Sequence, residues 1–140
     1  LSKNADFSQL EQFLKNNIKA FEEFPSWIEK FFLREANRAL DKIIERHNEV
    51  YAATGKTVDT RAMLLSWYVS DVRRVGNDLE VTLGNPQDYS SFIEFGARNV
   101  NGSWRDGYFI MTIPIDRIQR QLPERFNRDF KAYLQSKGAT

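Results

Sequence analysis

One pattern restricts the fold more than any other. From Ser26 to Thr54, residues Ile28, Phe32, Ala36, Ala39, Ile43, His47 and Val50 recur every three to four positions. That is the period of an α-helix with one buried face. Ser26-Trp27-Ile28-Glu29 has the capping-box form, with Ser at the cap and Glu three residues on. Thr54-Gly55 supplies the stop. The other faces carry Glu35–Arg38, Lys42–Glu45 and Arg46–Glu49 at i,i+3 spacing. These are expected to be solvated pairs, each worth about 0.3 kcal/mol. A helix of about 25 residues spans about 38 Å, so the rest of the chain must be arranged along it.

An earlier helix is expected ahead of the long one. Asp6 can cap it, Phe7, Leu10, Leu14, Ile18 and Phe21 keep helical spacing, and Pro25 stops it. A short helical turn is expected over Asp59 to Leu65. Ser66 to Val75 is rich in Trp, Tyr and Val, and Gly76-Asn77-Asp78 is turn chemistry. Leu79, Val81 and Leu83 then alternate with Glu80 and Thr82, as in a half-buried strand. Gly84-Asn85-Pro86 ends this hairpin, and Pro86 or Gln87 opens a short helix. Its apolar run, Tyr89, Phe92, Ile93 and Phe95, stops at Gly96.

Next comes a loop bearing Arg98, Gly102, Trp104, Arg105 and Gly107. Tyr108 to Ile113 fits either a strand or a helical turn. Pro114 restrains Ile113 toward extended geometry, which favours a third strand. Ile118, Leu122, Phe126, Phe130 and Tyr133 or Leu134 mark closing helices, with Pro123 as a start or kink. The fold class is α+β: a long N-terminal helix, a small antiparallel sheet made of the hairpin and a third strand, and flanking C-terminal helices. Neither repeats nor a linker interrupt the 140 residues, which read as a single domain.

Composition narrows the chemistry. The chain has no cysteine, so disulfides and thiolate metal sites are excluded. No apolar run approaches the length of a membrane span. The opening LSKNADFSQLEQ lacks the apolar core of a secretory signal, so export by that route is not expected. Net charge is +1 but unevenly spread. Residues 58–97 carry three basic and six acidic side chains, and residues 98–140 carry eight and four. A −3 middle and a +4 end suit head-to-tail packing of copies.

Catalytic signatures are missing. His47 is the one histidine and lies on the apolar stripe, which suits a partly buried residue with one hydrogen bond. The carboxylate pairs Glu22-Glu23, Glu45 with Glu49, and Asp116 near Glu124 read as solvated faces, not as an acid and base sharing a cleft. Gly96, Gly102 and Gly107 lack a phosphate-loop spacing. Arg98, Trp104, Arg105 and Tyr108, with Arg73-Arg74 on the hairpin, could stack on bases and contact phosphates, but the basic excess of a nucleic-acid module is not there. Glu94 stands four residues before Arg98, placed to pair with it within the chain or across to another copy. A tryptophan between arginines in a loop is the kind of residue that anchors an interface, formed beforehand or ordered on assembly.

The run Tyr89-x-x-Phe92-Ile93-Glu94-Phe95-Gly96-x-Arg98 resembles the Tyr-Ala-x-x-Val-Glu-Phe/Tyr-Gly-His/Thr-Arg signature of neck and tail-completion proteins of tailed phages. This is the tail-component family named after gene product ten of phage Hong Kong 97. Gly107-Tyr108-Phe109-Ile110-Met111 is similar to the family's re-entry after its glycine-rich loop, and Leu122-Pro123 to the start of its closing helix. Thr60 to Trp67 is similar to Thr-Gly-x-Leu-Arg-x-Ser-Trp, with Arg61 in place of the glycine and Leu64 in place of the arginine. The resemblance covers residues 26–135.

The resemblance implies a non-enzymatic structural virion protein, assembled in the bacterial host cytoplasm and located in the neck or tail. It would form a ring of six or twelve copies that joins or completes the tail at the connector. Its partners would be other copies, the connector or head-closure protein, and the tail terminator, tail tube or sheath protein, with non-specific contact to DNA in the channel and none to membrane. No cofactor, metal or catalytic residue is implied. Interface candidates are Trp67, Tyr89, Glu94, Gly96, Arg98, Trp104, Arg105 and Tyr108. The alternatives are a collar or cap of a headless contractile, phage-tail-like bacteriocin and, in a different class, a small nucleic-acid-binding protein.

Overall fold

The computed structural model describes residues 25–54, 61–76 and 78–137. The helix expected over residues 6–21, the Gly55 stop and Asn77 of the turn lie outside the described residues. The fold is α+β. Helix α1, Pro25–Thr54, is followed by the one-turn helix α2, Arg61–Leu64. Strands β1 (Tyr68–Val69), β2 (Arg73–Val75), β3 (Asp78–Glu80) and β4 (Leu83–Gly84) come next. Helix α3, Ser90–Phe95, leads into strands β5 (Gly96–Arg98) and β6 (Trp104–Asp106), and α4, Thr112–Ser136, ends the chain.

The stripe on α1 is buried as its period requires: Ile28, Phe32, Ala36, Ala39, Ile43 and His47 all face inward. Ser26 is not its cap, because the helix already includes Pro25 and Ser26. α4 runs antiparallel to α1: Trp27 stacks on Tyr133 at one end, Arg38 meets Gln121 in the middle, and Ile43 and Ile115 share a cluster at the other. Two hydrophobic clusters line this seam. Ile28, Phe31, Phe32, Leu79, Leu122 and Phe126 form the first. Ile43, Met63, Ile93, Ile110 and Ile115 form the second.

The first hairpin is one turn with a flaw in its middle. β2 pairs with β3 and β1 with β4, all antiparallel. Between the two ladders Ser70 N–H donates to the Thr82 carbonyl at 2.8 Å, and Thr82 N–H donates to the Ser70 hydroxyl at 2.8 Å. A side-chain oxygen thus stands in for a backbone acceptor. Leu79 is buried while Glu80 is exposed, so the expected alternation holds.

Several expectations are corrected. Tyr108 to Ile113 is not a third strand. Phe109 has φ 52°, which no strand admits, and α4 begins at Thr112. Pro114 lies in the first turn of α4, where its missing N–H would find no helical partner anyway. The extra strands come instead from the loop, as β5 pairs with β6. Pro123 neither starts a helix nor divides the region into two: α4 is one helix of 25 residues with Pro123 inside it. Leu122 and Phe126 on either side pack into the first cluster and hold both turns to α1. The short helix opens at Ser90, after Pro86 and Gln87.

Two of the three pairs expected on α1 are also changed. Lys42–Glu45 is an exposed pair at 3.1 Å, as expected. Glu35, however, is buried and takes Arg125 of α4 as well as Arg38. Arg46 leaves Glu49 and donates to backbone carbonyls of Phe109 and Tyr108, at 2.8 and 2.6 Å.

Candidate assembly interface

The loop after α3 folds back as a two-stranded arm. Gly96 pairs with Asp106, Ala97 with Arg105 and Arg98 with Trp104. Asn99 N–H donates to the Ser103 carbonyl at 2.7 Å and Gly102 N–H to the Asn99 carbonyl at 2.9 Å, which closes the tip. Gly96 makes the bend possible. Its φ is 101°, and a β-carbon there would come within 2.8 Å of the Trp104 ring. At Gly107 a β-carbon would run into the Glu94 carbonyl. Both glycines therefore let the arm lie flat against the end of α3.

The base of the arm is held from several sides. Tyr108 N–H donates to the Ile93 carbonyl at 2.9 Å and Phe109 N–H to the Glu94 carbonyl at 3.1 Å. Arg46 takes the carbonyls of the same two residues. Glu94 is 4% exposed, and its two carboxylate oxygens accept the N–H groups of Met111 and Thr112, each at 2.8 Å. A carboxylate at the start of α4 satisfies amides that the helix leaves open and meets the positive end of its dipole.

The sequence candidates divide into three groups. Trp67 and Tyr89 are half-buried and pack against the second cluster. Trp67 donates its indole N–H to His47 Nδ1 at 2.8 Å. The single bond is as expected from the sequence, though the donor was not foreseen, and the histidine is fully buried where partial burial was expected. Burial lowers the His47 pKa from 6.5 to about 4. Gly96, Glu94, Arg105 and Tyr108 form the base of the arm. Glu94 does not meet Arg98, since both its oxygens face α4. Arg105 donates to the Phe92 carbonyl at 3.1 Å and lies over the Tyr108 ring, so it braces the arm.

Arg98 and Trp104 face outward. Arg98 donates to the Gly102 carbonyl at 3.0 Å and has no carboxylate partner among the described residues. Trp104 is 59% exposed and Val100 at the tip is fully exposed, with Phe92 and Phe109 also open to solvent. Val100 carried no signal in sequence; only its position at a turn gives it meaning. Isolated exposed apolar residues are ordinary; Val100 and Trp104, however, lie together on the arm.

Elsewhere, a groove of about 280 Å³ between α1 and α4 brings Arg38, Lys42, Arg46 and Arg117 near Glu45 and Glu49. Most of these charges are already committed: Arg38 to Glu35 and Gln121, Lys42 to Glu45, and Arg46 to backbone carbonyls. Among the described residues no three His, Asp or Glu side chains are grouped to hold a metal, and no helix is long and apolar enough to cross a membrane.

No curated protein and no solved structure matches the chain. A family model does, over residues 9–96, more than half of the 140; its description is "Bacteriophage HK97-gp10, putative tail-component". The match takes in most of the region before α1, all of the first hairpin and α3, and stops at Gly96, the first residue of the arm. The chain belongs to the bacteriophage HK97-gp10 tail-component family.

Proposed function

We propose that this protein forms a ring at the phage neck and joins or completes the tail at the connector. Residues 1–140 act in this as a single neck and tail-completion domain, without catalysing a reaction. The observation that supports this most is the arm. A tail component that presents a pre-formed hairpin with an exposed Trp104 and an uncompensated Arg98 has a feature suited to locking onto a neighbour. The partners are other copies of the chain, the connector or head-closure protein, and the tail terminator, tube or sheath. The site of action is the virion, after assembly in the bacterial cytoplasm.

The test is complementation. Particles made without this chain should accumulate as separate heads and unjoined tails, and the wild-type gene should restore joined particles in electron micrographs. Joined, infectious particles that lack the chain would overturn the proposal. Recovery of the chain only on headless tails would support the bacteriocin collar instead. Tight binding of duplex DNA by the purified chain, with steep salt dependence, would favour the nucleic-acid reading.

A further inference from the structure

We infer that the arm of one copy docks on the tip of the first hairpin of the next, head to tail. This rests on the ring reading above and specifies which two surfaces meet.

The arm offers Val100 and Trp104, both exposed, beside Arg98, which sits opposite Trp104 in the ladder. Its one carboxylate, Asp106, lies at the base, opposite Gly96. The tip of the first hairpin offers Val75, 47% exposed, opposite Asp78. Charges around it are partly cancelled: Arg73 pairs with Glu80 and Arg74 with Glu29. Asp78 is exposed and has no ion-pair partner among the described residues. Each surface thus sets exposed apolar surface, Val100 and Trp104 on one and Val75 on the other, beside an uncompensated charge, and the charges are opposite.

The two surfaces cannot meet within one molecule. The first hairpin is fixed near the start of α1, through Arg74–Glu29 and through Leu79 packed with Ile28. The arm is fixed farther along, where Arg46 holds Tyr108 and Phe109. Glu29 and Arg46 are 17 residues apart on one helix, a separation of about 25 Å. Strands of three residues reach only about 10 Å, so the complement of each surface lies on another copy. Contact between two unlike surfaces is heterologous and propagates from copy to copy until it closes. A two-fold contact of arm with arm would instead bring two Arg98-bearing tips together, which like charges oppose.

The chain has no cysteine, so engineered thiols report contacts without background. The full chain carrying both Val75→Cys and Val100→Cys, mildly oxidised, should give a ladder of disulfide-linked oligomers. An equal mixture of the two single variants should give a dimer with one copy of each, linked between positions 75 and 100. Arg98→Glu should cut this cross-linking by about tenfold, and Asp78→Arg added to it should restore the yield. Three results would overturn the inference: no 75–100 disulfide, dimers of Val100→Cys alone at the yield of the mixture, or no effect of Arg98→Glu. Rings formed by the chain carrying both Val75→Cys and Val100→Cys that give no 75–100 disulfide would refute this contact while leaving the ring intact. Absence of the chain from particles would refute the ring reading itself.

Discussion

Trp67 donates its indole N–H to Nδ1 of His47, which is fully buried on α1. The histidine must then be neutral with its proton on Nε2, since a protonated Nδ1 could not accept. Burial accordingly lowers its pKa to about 4, from 6.5 in an open chain. Between those values the unfolded chain binds a proton that the folded chain refuses. Stability should therefore be highest above pH 6.5 and fall as pH drops toward 4, by at most about 3 kcal/mol from this group. Urea unfolding at a series of pH values checks this. His47→Gln, which does not titrate, should flatten that part of the profile.

Glu35 and Arg125 join the two long helices, with a second bond from Arg125 at 3.1 Å and Arg38 on the same carboxylate. The hydrogen bond to Glu35 raises the Arg125 pKa against the opposing effect of burial. The two partners differ in access to water: the Glu35 side chain is 4% exposed and that of Arg125 is 25%. Losing Arg125 leaves a buried carboxylate underpaired, whereas losing Glu35 leaves arginines that can turn to solvent. Arg125→Met should cost about 2–3 kcal/mol and Glu35→Met less than about 1 kcal/mol. Chemical denaturation of the two variants decides it.

Removing the Glu94 carboxylate should free the N–H groups of Met111 and Thr112 at the start of α4. Glu94→Ala is expected to cost about 2–3 kcal/mol and Glu94→Gln, which keeps one acceptor, about half as much. Hydrogen exchange should quicken first at the opening turn of α4. Exchange unchanged at Met111 and Thr112 would show that the carboxylate does not hold them.

Trp104→Ala and Arg98→Glu should leave stability within about 0.5 kcal/mol of wild type, because both side chains lie in solvent. Both should impair particle assembly in complementation. Full tail joining with each variant would show that the arm has no part in it.

Ile43→Asp places a carboxylate at a position with 0% exposure in the second cluster. An unpaired charge there costs several kcal/mol, enough to abolish folding. Circular dichroism should show loss of the native state. A soluble, cooperatively folding variant would mean that this face of α1 can open outward.

The sequence made the long helix readable because a period of 3.6 is a local property, and Ile28 through Val50 keep it. The turn at Gly76 and the stop at Gly96 were legible for a similar reason: both have positive φ, which suits glycine. What escaped is what tertiary partners decide. Glu35 sits three residues before Arg38 and looks like half of a surface pair, yet its main partner is 90 residues away. Tyr108 to Ile113 alternates like a strand, but Arg46 and Glu94 pin it into a bend with Phe109 at φ 52°. Trp104 and Arg98 stood out as types of residue; the strand pairing that sets them side by side was hidden, since the intervening Asn99 to Ser103 carries no strand pattern.

The fixed base of the arm bears on how fast subunits could associate. Gly96, Gly107 and the bonds to Tyr108 and Phe109 leave that projection one orientation before any encounter. An incoming copy then has no disordered segment to organise there, and less chain entropy is lost on capture. Association through such a surface is governed by collision and orientation, so its rate should track concentration and ionic strength and show no slow folding phase.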